Sequence, residues 1–121
     1  MPKILIVDDS SLSRRMLRGI LVSAGHEVIE ATDGISAIER YFLEQPDLVL
    51  LDLVMTGMSG EETLEKLCQM DPSAQVIIAS ADLQTLTRTK VEAAGAVGFI
   101  NKPFMAATVL NAVNAVLQGT A

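Results

Sequence analysis

The stretch "KILIVDDSS", residues 3–11, decides how this chain folds. Ile4, Leu5, Ile6 and Val7 are apolar at consecutive positions, so both faces of an extended segment are apolar, as a central parallel strand covered on both sides requires. The run then stops at two adjacent acids, Asp8 and Asp9. Neighbouring carboxylates repel each other and are costly to desolvate, so they belong near water, near cations or at a helix start. Asp9 or Ser10 can cap a helix over 11–23, where acids also complement the dipole, but a cap explains one acid and not both. A hard cation such as Mg2+ explains the pair, because it takes oxygen ligands and borrows only one or two protein carboxylates.

Strand-length apolar runs recur at "EVIEA" (27–31), "DLVLLD" (47–52), "AQVIIAS" (74–80) and "AVGFIN" (96–101). Segments with helical spacing separate them, at 11–23, 34–44, 59–70, 83–94 and 104–117, and Gly25, Gly34, Pro46, Gly57, Gly60 and Gly95 punctuate the joins. Ser59 followed three residues later by Glu62 is a capping box that starts the third helix. Five strands alternating with five helices specify an α/β fold, a parallel sheet with helices on both faces, because right-handed crossovers cover each side.

At 121 residues, half of them hydrophobic, the chain reads as one domain, 1–121, able to bury a core without disulfides or structural metal. Cys68 stands alone, which excludes a disulfide framework and a cysteine zinc site. The apolar start is too short for a signal peptide and no segment reaches bilayer-spanning length, so the expectation is a cytoplasmic protein with no membrane role. A net charge of -6 and a pI near 4.6 disfavour direct nucleic-acid binding, since phosphates would be repelled.

In an open α/β sheet, ligands bind outside the carboxyl ends of the strands, where strand order reverses. Asp8 and Asp9 end the first strand, Asp52 the third and Ser80 the fourth, while Lys102 and Pro103 follow the fifth. Acids hold a cation; Lys102 and Ser80 contact an anion, and a phosphoryl group fits between them. Neither a P-loop nor a "GxGxxG" signature is present, so a bound nucleotide is not the obvious anion. Asp52 can itself be the acceptor: a carboxylate attacks phosphorus to give an aspartyl phosphate once repulsion from the phosphoryl oxygens is offset. Mg2+ and Lys102 would supply that offset.

The segments "ILIVDDS", "DLVLLDLVMTGMSG", "VIIASA" and "GAVGFINKPF", in this order and spacing, resemble the response regulator receiver domains of two-component systems, especially stand-alone CheY-like ones. The resemblance implies a flavodoxin-like, doubly wound five-stranded parallel sheet in the order 2-1-3-4-5, the order the general rule for such folds also names for CheY. It implies a phosphoacceptor at Asp52 and Mg2+ held by Asp8, Asp9, Asp52 and the backbone carbonyl of Val54. It also implies a phosphoryl-binding set of Lys102, Ser80 and the Ala81 backbone, switch residues at Ser80 and Phe99, and a cis bond between Lys102 and Pro103. The partners implied are a histidine kinase or histidine phosphotransfer protein, then a downstream protein or a second copy at the face of the fourth helix, fifth strand and last helix.

Departures are few. Met55 is followed by Thr56 where the family often has proline, so the loop loses a fixed φ and gains a backbone donor. Val54 and Asp82 stand where the family tunes loss of the phosphoryl group. Arg14, Arg15 and Arg18 read as either a solvated face or a kinase-docking edge, and His26 and Cys68 as structural. From Phe104 to Ala121 no residue is charged; helical spacing puts Val109, Leu110, Val113, Val116 and Leu117 in the core and leaves Met105, Thr108, Asn111, Ala112, Asn114 and Ala115 outward. Two rival functions remain at this point. An aspartyl-phosphate phosphatase also uses a strand-end Asp, but such enzymes carry "DxD" where this chain reads "DLV". A receiver-like scaffold that is never phosphorylated needs none of the side chains assembled here.

Overall fold

A computed structural model describes residues 1–81 and 84–119, with Thr85 and Leu86 described by their backbone alone. Asp82 lies outside the described residues. The elements alternate as the apolar runs require: β1 (Lys3–Val7), α1 (Ser11–Ser23), β2 (Glu27–Ala31), α2 (Gly34–Glu44), β3 (Leu48–Leu51), α3 (Gly60–Met70), β4 (Val76–Ser80), α4 (Thr85–Ala93), β5 (Ala96–Asn101) and α5 (Ala106–Leu117). The strands pair in parallel in the order β2-β1-β3-β4-β5.

The continuous apolar runs are explained by two cores, one on each face of the sheet. Ile4, Ile6, Leu48, Leu50, Ile77 and Ala79 pack with Leu17 and Leu21 of α1 and Val109, Val113 and Val116 of α5. Leu5, Val7, Val49, Leu51, Val76 and Ile78 pack on the other face with Ala37 of α2, Leu64 and Leu67 of α3 and Val91 of α4. Burying each such side chain contributes about 1.5–3 kcal/mol, so the sheet interior dominates stability. His26 is buried between α1 and β2. Cys68 is half-buried on α3, and burial first, with Asp71 adding to it, pushes its thiol up, away from reactive thiolate chemistry.

Several boundaries differ from the sequence reading. The fourth strand begins at Val76 rather than Ala74, because Ala74 is buried but its N–H closes a turn onto the Asp71 carbonyl. The last helix begins at Ala106, with Met105 as an extended N-cap residue and Phe104 already in the core. On that helix Ala112 is partly buried against the core, so the outward face is narrower than the spacing suggested.

Candidate phosphoryl and metal site

Register brings the acids together. Val7 of β1 pairs with Leu51 of β3, so Asp8 and Asp52 emerge side by side, and the Asp52 N–H donates to the Val7 carbonyl at 2.9 Å. Both side chains are almost wholly buried. Asp9 is exposed, yet one oxygen from each of Asp8, Asp9 and Asp52 falls within 4.8 Å of the others.

Neither acid caps α1. Ser10 does, its hydroxyl accepting the Ser13 N–H at 3.2 Å, while Asp8 Oδ1 accepts the Ser10 N–H at 2.9 Å and closes the turn between strand and helix. Asp52 Oδ1 accepts the Val54 N–H at 3.2 Å. The backbone donor that Thr56 supplies in place of proline reaches Asp9 Oδ2 at 3.3 Å, tying the β3–α3 loop to the acidic pair. The Val54 side chain stands out into solvent.

Lys102 arrives from the end of β5, whose last residues are held because its own N–H donates to the Ser80 carbonyl at 3.1 Å. Its Nζ donates to Asp52 Oδ2 at 3.0 Å and lies 3.1 Å from Asp8 Oδ2. The second is a charge contact without hydrogen-bond alignment, since Asp8 Oδ2 has no hydrogen-bond donor. Burial pulls the Lys102 ammonium toward lower pKa, but its hydrogen bond to Asp52 and its close contacts with the charges of Asp52 and Asp8 more than offset that and hold it above the ordinary lysine value. Burial pushes the Asp8 carboxyl up, against the lowering effect of the Ser10 amide and Lys102. The bond from Lys102 to Pro103 is cis.

Ser80, the last residue of β4, is fully buried, and its hydroxyl finds no partner. Ala81 is exposed directly after it. Phe99 on β5 is half-buried against the α2–α4 core, with the Arg88 guanidinium 5.1 Å from its ring centroid. Because the Ser80 hydroxyl satisfies nothing in this state, Ser80→Ala removes no hydrogen bond. Its unfolding free energy should stay within about 0.5 kcal/mol of the natural chain, against the usual loss of about 1 kcal/mol for deleting a bonded hydroxyl. Chemical denaturation reads the difference; a loss of about 2 kcal/mol would mean the hydroxyl is bonded in the resting fold.

The donor set suits a hard divalent cation. Three carboxylates face one ammonium, which leaves two negative charges uncompensated, and the buried Asp8 Oδ2 still lacks a donor. Oxygen-only ligands favour Mg2+ over softer metals. The same region offers an anion a lysine and a free buried hydroxyl.

The fold, the acidic cluster and the strand-end lysine together define a phosphorylation-based signalling domain. Residues 4–114 match the family of the response regulator receiver domain, and the chain belongs to it. Among its relatives, the chemotaxis protein CheY of Bacillus subtilis is 43% identical over 117 residues, covering 96% of this chain and 98% of that one. CheY of Thermotoga maritima is 40% identical over 115 residues, covering 94% and 96%. The solved CheX–CheY–BeF3–Mg2+ complex of Borrelia burgdorferi contains a chain 35% identical to this one, with a TM-score of 0.91 over 94% of this chain and 87% of that one. The family's receivers are phosphoacceptors of two-component and chemotaxis signalling that bind Mg2+ at their acidic pocket, and this chain is a CheY-like member.

The described residues contain no helix long and apolar enough to cross a membrane. Sequence reasoning missed the role of Arg14: it is not a solvated side chain but donates from Nη1 to the Asp8 carbonyl at 2.7 Å and from Nε to Glu30 at 3.1 Å. No local signal pointed to this, because both acceptors are brought to it by the fold.

Proposed function

We propose that this chain is a cytoplasmic, phosphorylation-dependent switch, a single domain over residues 1–121 that accepts a phosphoryl group on Asp52 from a histidine kinase or a histidine phosphotransfer protein. The observation that carries the reading is the convergence at one sheet edge of a buried Asp52, a lysine bonded to it and a buried, unpartnered Ser80 hydroxyl.

In the transfer, an Asp52 carboxylate oxygen bonds to phosphorus as the phosphorus–nitrogen bond of the donor phosphohistidine breaks; the leaving imidazole keeps the electron pair and takes a proton from solvent. Lys102, already at Asp52 Oδ2, exchanges that contact for a phosphoryl oxygen and neutralises its charge. Ser80 supplies a hydroxyl donor to a second phosphoryl oxygen, and the Ala81 backbone N–H is a further donor beside it. Asp8, Asp9 and Asp52, with the Val54 carbonyl, would hold Mg2+, whose bound charge lowers repulsion between the attacking carboxylate and the incoming phosphoryl group.

Movement of Ser80 toward the phosphoryl oxygens frees space beneath Phe99, which turns inward and leaves Arg88. This links the site to the face of α4, β5 and α5, where Val97 and Met105 are exposed and α5 carries no charge. That face is the contact for a downstream protein or a second copy. The chain assists its own phosphorylation and dephosphorylation and turns over no separate substrate.

Phosphoramidate as donor tests the reading: one phosphoryl group per chain should be acquired with Mg2+ and not with EDTA, and hydroxylamine should remove it as it does an acyl phosphate. A chain that acquires none, or acquires one that resists hydroxylamine, contradicts it.

A further inference from the structure

The three arginines of α1 separate in the fold. Arg18 is half-exposed and pairs with Glu30 Oε2 at 2.8 Å, whereas Arg14 is mostly buried between the end of β1 and the β2 edge. One nitrogen of Arg14 meets the Asp8 carbonyl at 2.7 Å, while Nε meets Glu30 Oε1 at 3.1 Å, so two rigid points fix the planar guanidinium.

The carbonyl so held belongs to the peptide joining Asp8 to Asp9. The Asp8 N–H already donates to the Ala31 carbonyl at 3.2 Å and Oδ1 accepts the Ser10 N–H, so Arg14 completes the restraint on this residue. Asp9 depends on it most. Its side chain is exposed, with the 3.3 Å contact from Thr56 to steady it, and the direction in which it leaves the backbone is set by the Asp8–Asp9 peptide plane. Glu30 offsets the guanidinium charge, so a cation beside the acids is not strongly repelled.

We infer that Arg14 is a positioning residue for the acidic pair: its bond to the Asp8 carbonyl fixes the peptide that aims Asp9 into the cluster with Asp8 and Asp52. This rests on the reading of those three acids as the Mg2+ site.

The sign of the effect separates positioning from charge. Deleting a positive charge near a cation site should by electrostatics alone tighten Mg2+ binding. Loss of positioning weakens it, and mutated outer-shell partners commonly cost about tenfold or more in metal affinity. Isothermal titration of the full chain with Mg2+, well below each variant's unfolding temperature, reads the difference. Arg14→Gln should bind about tenfold more weakly, Arg14→Lys, with one compact donor group, should fall between it and the natural chain, and Arg18→Gln should stay within about twofold of the natural chain. Arg14→Met, which keeps the buried stem, takes the place of Arg14→Gln if the latter does not fold.

Binding by folded Arg14→Gln or Arg14→Met as tight as natural, or tighter, overturns the inference. So does an equal weakening in Arg18→Gln, which would assign the effect to the Glu30 partner that the two arginines share rather than to the Asp8 carbonyl. Asp9→Asn is titrated alongside: natural-chain binding that it weakens upholds the site reading whatever Arg14 does, and a natural chain that binds no Mg2+ ends both.

Discussion

Lys102→Met should lose about 2–3 kcal/mol of stability at neutral pH without Mg2+, and should lose phosphoryl acceptance as well. The ammonium is the counter-charge that the fold places beside two buried carboxylates, at 3.0 Å from Asp52 and 3.1 Å from Asp8. Removing one partner of a buried ion pair typically costs about 3–5 kcal/mol, discounted here because part of the Lys102 side chain is in solvent. Methionine keeps the apolar length, so the loss reports charge rather than a cavity.

The pH dependence follows from Asp8, whose carboxyl burial already pushes above its ordinary value of 3.8. An acid raised in the folded state penalises folding only where it is ionised: the penalty is absent below the unfolded value and grows as pH climbs through the folded one. Without Lys102 the folded value rises further, so the gap between variant and natural chain should close below pH 3.8 and be full at neutrality. At the alkaline end the natural chain's advantage is fully present below the ordinary lysine value of 10.5 and fades as pH passes the raised value of Lys102. Millimolar Mg2+ should narrow the gap by supplying positive charge. Denaturant titrations at several pH values read all of this, and an equal loss at acid and neutral pH would contradict it.

Gly60→Ala should be the most damaging single methyl group in the chain. Gly60 opens α3, and its N–H reaches back to the Leu53 carbonyl at 3.2 Å. A Cβ there would collide with the Asp52 carbonyl oxygen and lie 2.5 Å from the Leu53 Cα. Both obstacles are backbone, so no rotamer change relieves them, and the helix must move away from the end of β3. About 3 kcal/mol of destabilisation is expected, at the upper end for overpacking. Because the atoms displaced include Asp52 itself, phosphoryl acceptance should fall even where the variant remains folded. Thermal unfolding with phosphoramidate labelling at low temperature tests both parts, and natural stability in the variant would contradict the expectation.

The sequence made these positions legible to different depths. The strands were readable because Ile4–Val7 and Leu48–Leu51 are apolar on both faces, the start of the first helix because one of the two caps offered, Ser10, serves, and that of the third because Ser59 accepts the Glu62 N–H as their spacing predicted. Ala74 misled because hydrophobicity reports burial, whereas a strand is defined by its ladder of hydrogen bonds. At the site, the residue types at the strand ends revealed which groups converge. The unbonded Ser80 hydroxyl, the destination of the Thr56 amide and the inward turn of Arg14 are products of tertiary packing, so no spacing encodes them.

The central claim is that Asp52 accepts the phosphoryl group, and intact-mass measurement tests it most directly. The natural chain and Asp52→Asn are each incubated with phosphoramidate and Mg2+. One phosphoryl adduct on the natural chain and none on folded Asp52→Asn is the result expected. An equal adduct on both, or none on the natural chain, would contradict it.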